Sequence, residues 1–329
     1  MKHTLNRRHM LGTTASILGG AALPSWPQAR YPSRPITLVV PFASGGSVDV
    51  SARAIADRLS KVLGQTIIVD NRGGAGGAIG SNYVAKAAPD GYTLIVTSQS
   101  THVVNPAVTP NLSYNAETDF APITLIDRLA NVVLVNASLP VKTFDEFVAF
   151  VRSHPGQWNY ASSGNGSVAH LSMEILKAKL GLDIAHVPYK GAGVALGDLL
   201  SGQVQMTWNN LTSNLSMITN GKLRALAVAA PQRVTQLPSV PTFEELKLPD
   251  LNLTSWTGLA APARTPDAIV SQLYAAMRTV LADPATKLAW EARGAMLPEA
   301  LTPSQYKQEI SRRIQFYRNI VKAHKIALE

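Results

Sequence analysis

The sequence predicts an α/β protein of two βα lobes joined by two crossing strands, with a cleft between the lobes. Three observations point there. Short apolar runs of the buried-strand type alternate with helical apolar stripes, as expected for an α/β sheet protein. One long extended stretch, residues 121–139, and one return strand, residues 256–262, offer two passages between the lobes. A chain of 329 residues suits two lobes of ordinary size better than one very large core.

The elements follow in order. Ile36-Thr37-Leu38-Val39-Val40-Pro41 reads as a buried strand, and Val48, Ala52, Ile55, Leu59 and Val62 then recur at helical spacing. Thr66 to Asp70 begins a second unit, which passes through Gly73-Gly74-Ala75-Gly76-Gly77 into a small-residue helix ending near Lys86. Thr93 to Thr97 gives a third strand, and three parallel strands at this spacing fit one open sheet. After the extended stretch, Phe144, Phe147, Val148 and Val151 mark a helix, and Trp158 to Ala161 opens a new βα series. Leu171, Ile175 and Leu176 lie on its next helix, and Ile184 to Pro188, Val204 to Trp208 and Leu223 to Val228 are further strands. Residues 231–253 are proline-rich connection. Trp256 to Pro262 returns, and two helical stripes, Ile269 to Val280 and Tyr306 to Val321, are expected to pack back on the first lobe. The resulting division is residues 30–130 with 256–329 for the first lobe and 131–255 for the second.

Residues 1–29 read as an address: Lys2, Arg7 and Arg8, an uncharged run from Met10 to Leu23, then small residues. Asn6-Arg7-Arg8-His9-Met10-Leu11 resembles a twin-arginine export signal, an ordinary secretory signal being the alternative with the same destination. Cleavage after Ala22 or Ala29 removes Lys2, Arg7 and Arg8 from 30 basic residues, leaving 27 against 21 acidic ones, a net +6. No later apolar run reaches the ~18 residues a membrane span needs. With no cysteine there is neither a disulfide nor a lipid-bearing thiol. Basic residues are spread thinly, and the one dense pair, Arg312-Arg313, reads as a solvated helix face, so nucleic acid is not an expected partner.

Two loops share one physical design: a buried strand ends, Gly and Ser follow, and a helix begins. They are Pro41-Phe42-Ala43-Ser44-Gly45-Gly46-Ser47-Val48-Asp49 and Tyr160-Ala161-Ser162-Ser163-Gly164-Asn165-Gly166-Ser167. A helix start exposes unpaired N–H groups and about half a positive charge, which suits an anion. If the lobes face each other, each loop can grip one side of a carboxylate without any arginine. Ser44, Ser47, Asp49 and Ser167 can equally serve as helix caps.

These loops, together with Asn71-Arg72-Gly73-Gly74-Ala75-Gly76-Gly77, Ala87-Ala88-Pro89-Asp90-Gly91-Tyr92-Thr93-Leu94 and His186-Val187-Pro188-Tyr189-Lys190-Gly191, resemble the Bug-type receptors of tripartite tricarboxylate transporters over nearly the whole mature chain. The resemblance implies a type II periplasmic-binding-protein fold that closes on a small carboxylate, a di- or tricarboxylate or an aromatic acid, in the periplasm. The expected partners are the membrane permease subunits of such a transporter, or alternatively a sensor kinase, with the receptor itself a monomer. Carried over by position, the ligand contacts are Phe42, Ala43, Ser44, Gly46, Ser47 and Asp49 on one lobe, and Ser162, Gly164, Asn165, Gly166 and Ser167 on the other. Ser98, Gln99, His170, Tyr189, Lys190 and Asn209 join them near the cleft; Lys190 reads equally as an exposed turn residue and His170 as a structural hydrogen-bonder. One departure stands out. Where the family usually carries acids, this chain has Gln205 and Trp208-Asn209-Asn210, which favours a more anionic or more apolar ligand, although Trp208 can equally be core.

Other chemistries fit poorly. Gly74, Gly76 and Gly80 do not match the G-x-G-x-x-G spacing and follow the second strand, so no nucleotide cofactor is expected. Ser163 or Ser167 with His170 lacks the G-x-S-x-G elbow of a hydrolase. The seven histidines show no H-E-x-x-H and there are no cysteine ligands, so neither catalysis nor a metal is expected.

Overall fold

A computed structural model describes residues 31–323, and the export signal expected over residues 1–29 lies outside them. β1 (Ile36–Val40) leads into α1 (Ser47–Leu63), β2 (Ile67–Asn71) into α2 (Ala78–Ala85), and β3 (Thr93–Ser98) into a wide helical turn, Ser100–Val104, continued by α3 (Asn105–Val108). α1 forms because Ala52, Ile55, Ala56 and Leu59 repeat at three- and four-residue spacing and are all buried. It stops at Gly64, whose left-handed φ of 67° lets its N–H turn back to the Ser60 carbonyl. Val62 stands 43% exposed, so the apolar stripe runs out one turn before the helix does.

β4 (Phe120–Leu129) passes through Ala130 directly into β5 (Asn131–Asn136), which belongs to a second sheet. The second lobe continues as α4 (Phe144–Ser153), β6 (Trp158–Ser162), α5 (Val168–Leu180), β7 (Ile184–Pro188), α6 (Ala192–Ser201), β8 (Met206–Asn210), α7 (Leu211–Thr219) and β9 (Leu223–Ala229). The proline-rich connection holds only a short helical turn, Pro249–Leu251, before β10 (Ser255–Pro262) re-enters the first sheet. α8 (Asp267–Ala282), α9 (Pro284–Glu291), β11 (Ala295–Met296) and α10 (Pro303–Ala323) complete the first lobe.

The first sheet runs β11-β4-β10-β3-β1-β2 and the second β7-β6-β8-β5-β9. β1 is parallel to β2 and β3, and β6 is parallel to β7 and β8. The strands that arrive from the other lobe, β5 and β10, run antiparallel to both their neighbours. The reversal follows from where the chain crosses. It enters each sheet from the cleft side, where the carboxyl ends of the parallel strands lie, and those ends are where open α/β sheets bind ligands.

α8 packs on α1 and β4, and α10 packs on β4 and the Ser100–Val104 turn, as the two C-terminal stripes require. Leu273, Met277, Val280 and Trp290 close the first-lobe core over Ile55 and Leu59. Each such buried side chain contributes about 1.5–3 kcal/mol. That rigidity fixes the strand ends that face the cleft.

Candidate functional site

Strand ends and helix starts from both lobes surround one cavity of about 60 Å³. At roughly 10–15 Å³ for each water-sized group, it holds a small guest. The first lobe supplies Phe42, Gly46, Ser47, Val48, Ser98, Gln99, Ser100, Trp256 and Thr257; the second supplies Ser162, Ser163, Val168, Ala169, Ala192, Ala195 and Thr207 to Asn210; Leu129, Asn131 and Ser255 stand at the crossings. No Asp, Glu, Lys, Arg or His is among them. What positive potential the cavity has comes from the starts of α1, α5, α6 and α7, which all reach its wall.

The first loop is shaped by a buried carboxylate. Asp49 accepts the Gly45 N–H, Asn71 Nδ2 and Arg53 Nε, each at 3.0 Å, and Asn71 Nδ2 also donates to the Phe42 carbonyl at 3.0 Å. Burial alone would push the Asp49 carboxyl up, but the bonds from Arg53, Gly45 and Asn71 outweigh it and hold the group below its ordinary value. Gly45 sits at φ 83°, a turn that a side chain would strain. The outcome is a tight bend that brings Gly46, Ser47 and Val48, the opening of α1, to the cavity wall.

The second loop spends its amides differently. Gly164 N–H donates to Ser162 Oγ at 3.1 Å, Gly166 N–H to His170 Nδ1 at 3.3 Å, and Ser167 N–H to the Gly164 carbonyl at 3.2 Å. Ser167 caps α5 by accepting the His170 N–H, while the Val168 N–H crosses the cleft to Ser100 Oγ at 3.1 Å. The two loops are therefore not equivalent: the first brings the residues that open α1 to the cavity wall, and the second uses several of its own amides to brace itself and dock on the other lobe.

Further contacts hold the lobes together. Ala43 N–H donates to the Lys190 carbonyl at 3.3 Å, and Ser47 Oγ donates to Asn210 Oδ1, which shares its amide with Asn131 at 2.6 Å. Elsewhere backbone meets backbone. A Cβ at Gly76 would lie 2.2 Å from the Asn165 carbonyl oxygen, and one at Gly193 would lie 2.2 Å from that of Ser44. The Gly73–Gly77 run thus serves close approach of the second lobe.

Of the candidates named from sequence, Phe42, Gly46, Ser47, Ser98, Gln99, Ser162 and Asn209 line the cavity. Ala43, Ser44, Gly164, Asn165 and Gly166 lie at the lobe contact, and Asp49, Ser167 and His170 stand behind the loops. Tyr189 donates its hydroxyl to Asp198 at 2.6 Å, and Lys190 is exposed. Trp208 is at once core and wall, stacked on Phe243 with ring centres 5.0 Å apart. Sequence reasoning missed Asn131, Ser255, Trp256 and Ala192. Gly191-Ala192 repeats the strand–glycine–helix design after β7, a signal that could have found it; Asn131 and Trp256 sit at the crossings and carry no motif.

His170 and His186 stack at 3.9 Å behind the second loop, beside Tyr160, Glu174 and Lys177. Burial is the leading cause that holds both imidazoles down to about 4, so both are neutral at ordinary pH. His186 Nε2 shares a 2.7 Å hydrogen bond with Ser162 Oγ, which lines the cavity and also accepts the Gly164 N–H at 3.1 Å. Among the described residues no group of three or more His, Cys, Asp or Glu side chains could hold a metal ion, and no helix is long and apolar enough to cross a membrane.

Comparison with known proteins gives one consistent answer. The family described as "Tripartite tricarboxylate transporter family receptor" matches residues 51–326. The periplasmic binding protein BugD superposes with a TM-score of 0.87 at 31% identity, over 91% of this chain and 100% of its own. MatC from Rhodopseudomonas palustris with bound malate gives 0.85 at 36% identity, over 88% and 100%. A second R. palustris protein, with adipate, gives 0.86 at 36% identity, over 90% and 99%.

Proposed function

Because the chain belongs to the tripartite tricarboxylate transporter receptor family, we propose that it captures a small carboxylate in the periplasm by cleft closure and delivers it to the membrane permease subunits of such a transporter. The observation that carries this reading is a cavity between two lobes with helix starts in its wall and no charged side chain. Fixed amides attract an anion without the desolvation penalty of a buried cation. The malate and adipate held by the two R. palustris proteins support a carboxylate as the class. Phe42, Gly46, Ser47, Ser98, Gln99, Ser162 and Asn209 are the proposed contacts, and residues 30–130 with 256–329 and residues 131–255 are the proposed moving bodies. The mature receptor works as an exported monomer with its signal removed, and it returns its ligand chemically unchanged.

A thermal-shift screen of small mono-, di- and aromatic carboxylates tests the reading. An acid at about a hundred times its dissociation constant adds ~2.7 kcal/mol to the folded state. If amines or neutral sugars raise the melting point and no acid does, the reading falls. Uptake of the selected acid by cells must then require both this receptor and the permease.

A further inference from the structure

We propose that Arg128, Arg312 and Arg313 form a docking site for a segment of the membrane permease that presents two carboxylates beside an apolar side chain. The proposal rests on the delivery reading above and deepens it. The Arg312-Arg313 pair alone reads as a solvated helix face, but the fold brings a third guanidinium to it from β4. Arg312 Nη2 and Arg313 Nε both reach the carboxylate of Glu309, at 2.7 and 2.5 Å. Arg128 lies half-buried within electrostatic reach of all three, without an ion pair of its own among the described residues. Burial first, and then Arg313, hold its guanidinium below the ordinary value, against the pull of Glu309. Three guanidiniums against one carboxylate leave a net charge of +2 at this spot.

Strand register sets the neighbours. Arg128 stands opposite Trp256 of β10 on one side and opposite Met296 of β11 on the other. Directly opposed residues of antiparallel strands share a face of the sheet. On that face Trp256 meets Tyr306 of α10, with ring centres 5.5 Å apart. The helix thus covers the sheet as far as Arg128, and Met296, on the two-residue edge strand, is 46% exposed. On α10, Phe316 follows Arg312 by one turn and is 50% exposed. The basic cluster therefore has an exposed apolar residue on each of the two elements that flank it. Arginine forks suit carboxylates, and Glu309 Oε2 already accepts Nε and Nη2 of Arg312 at 3.1 and 2.7 Å. Arg128, half-buried between strand and helix, is reached better by a projecting acidic side chain than by a flat lipid surface. The site also adjoins a lobe contact. Gln236 Nε2 of the second lobe donates to the Glu291 carbonyl at 2.8 Å, and a Cβ at Gly294, two residues before Met296, would lie 3.0 Å from Leu211.

The test uses the mature receptor loaded with the acid from the thermal screen, and the permease that wild-type uptake requires, reconstituted in zwitterionic phosphatidylcholine vesicles. We expect Arg128→Gln with Arg312→Gln to raise the receptor concentration for half-maximal transport about tenfold or more. Its calorimetric affinity for the acid should stay within about twofold of wild type, because neither arginine lines the cavity. Arg312→Gln alone changes a side chain that is mostly exposed, should give about threefold, and decides the matter if the double variant does not fold. Rising salt should weaken wild-type docking more than that of the double variant. Arg264→Gln, exposed beyond the far end of β10, removes one charge elsewhere and should behave as wild type. Half-saturation unchanged in both arginine variants, or raised as much by Arg264→Gln, overturns the docking site and leaves capture and delivery standing. So does wild-type binding to permease-free phosphatidylglycerol vesicles that both variants lose, which assigns the patch to lipid. A dimer seen in sedimentation and lost in both variants overturns it too, in favour of a second copy of this chain. Wild-type uptake that needs no permease overturns the delivery reading itself.

Discussion

Gly193→Ala separates closure from ligand contact. Gly193 lies in the first turn of α6, outside the cavity wall, and a Cβ there would stand 2.2 Å from the Ser44 carbonyl oxygen and 3.0 Å from Gly46 N in the opposite lobe. Ordinary carbon–oxygen contact needs roughly 1 Å more, so the lobes must part slightly or the first loop must shift. Overpacking of this kind costs about 1–3 kcal/mol, charged only to the closed state. The expected loss of affinity is therefore about 5- to 140-fold, at ~1.4 kcal/mol for each factor of ten. The open protein should not suffer, because alanine replaces glycine in a helix with a gain of up to about 1 kcal/mol. Gly197→Ala, on the same helix with nothing within 4 Å, supplies the control. Calorimetric titration with the acid selected by the thermal screen reads affinity, and urea unfolding without ligand reads stability. Affinity within twofold of wild type would refute closure through this contact; so would a loss matched by the control.

Asp49→Ala removes the acceptor of three bonds and frees the Gly45 N–H, Asn71 and Arg53 together; we expect a loss of about 1–3 kcal/mol in urea unfolding, partly recovered in Asp49→Asn, which keeps an oxygen for Gly45. Asn131→Ala leaves Asn210 Nδ2 without its acceptor at the crossing and should cost a similar ~1–3 kcal/mol in the same assay. Acid should weaken the second loop. His170 and His186 titrate near 4 when folded and near the ordinary 6.5 when unfolded, so the unfolded chain binds more protons between those values. Stability present above about pH 6.5 is lost as pH falls toward 4. His170→Gln with His186→Gln should flatten that part of the profile, and an unchanged slope in thermal unfolding would remove the pair from the account.

The parts of the fold legible in the sequence are those where one physical signal dominates. Ile36–Val40 and Leu223–Ala229 are apolar runs of strand length, and Ile310, Ile314 and Tyr317 keep one buried stripe along α10. α6 and α7 escaped notice for opposite reasons. Ala192–Ser201 carries small residues and glycine, and Leu211–Thr219 carries several Ser, Thr and Asn, so neither shows a strong stripe and packing against the second sheet makes them helical. The reversed direction of β5 and β10 depends on where the chain crosses, which no local pattern encodes. At the site, the strand–glycine–helix loops were readable because local backbone chemistry defines them. The fate of the second loop's amides was not, since the acceptor for Val168 N–H is Ser100, 68 residues earlier. Trp256 and Asn131 became site residues only when the lobes came together.

A neutral cavity also bears on release. An arginine in the wall would hold an acid from one lobe alone, and its charge would need compensation whenever the cleft closed empty. Helix amides carry their partial charge without side-chain entropy, and here they are divided between α1 on one lobe and α5, α6 and α7 on the other. The Ser47–Asn210 and Ala43–Lys190 bonds join those two sets, and on the proposed reading both break when the lobes turn about Ala130 and the segment before Ser255. On the proposed reading, opening separates the α1 dipole from those of α5, α6 and α7 in one movement. Tight capture and prompt release then require only that the partner part the lobes, and the acid leaves because no single lobe retains enough positive potential to keep it.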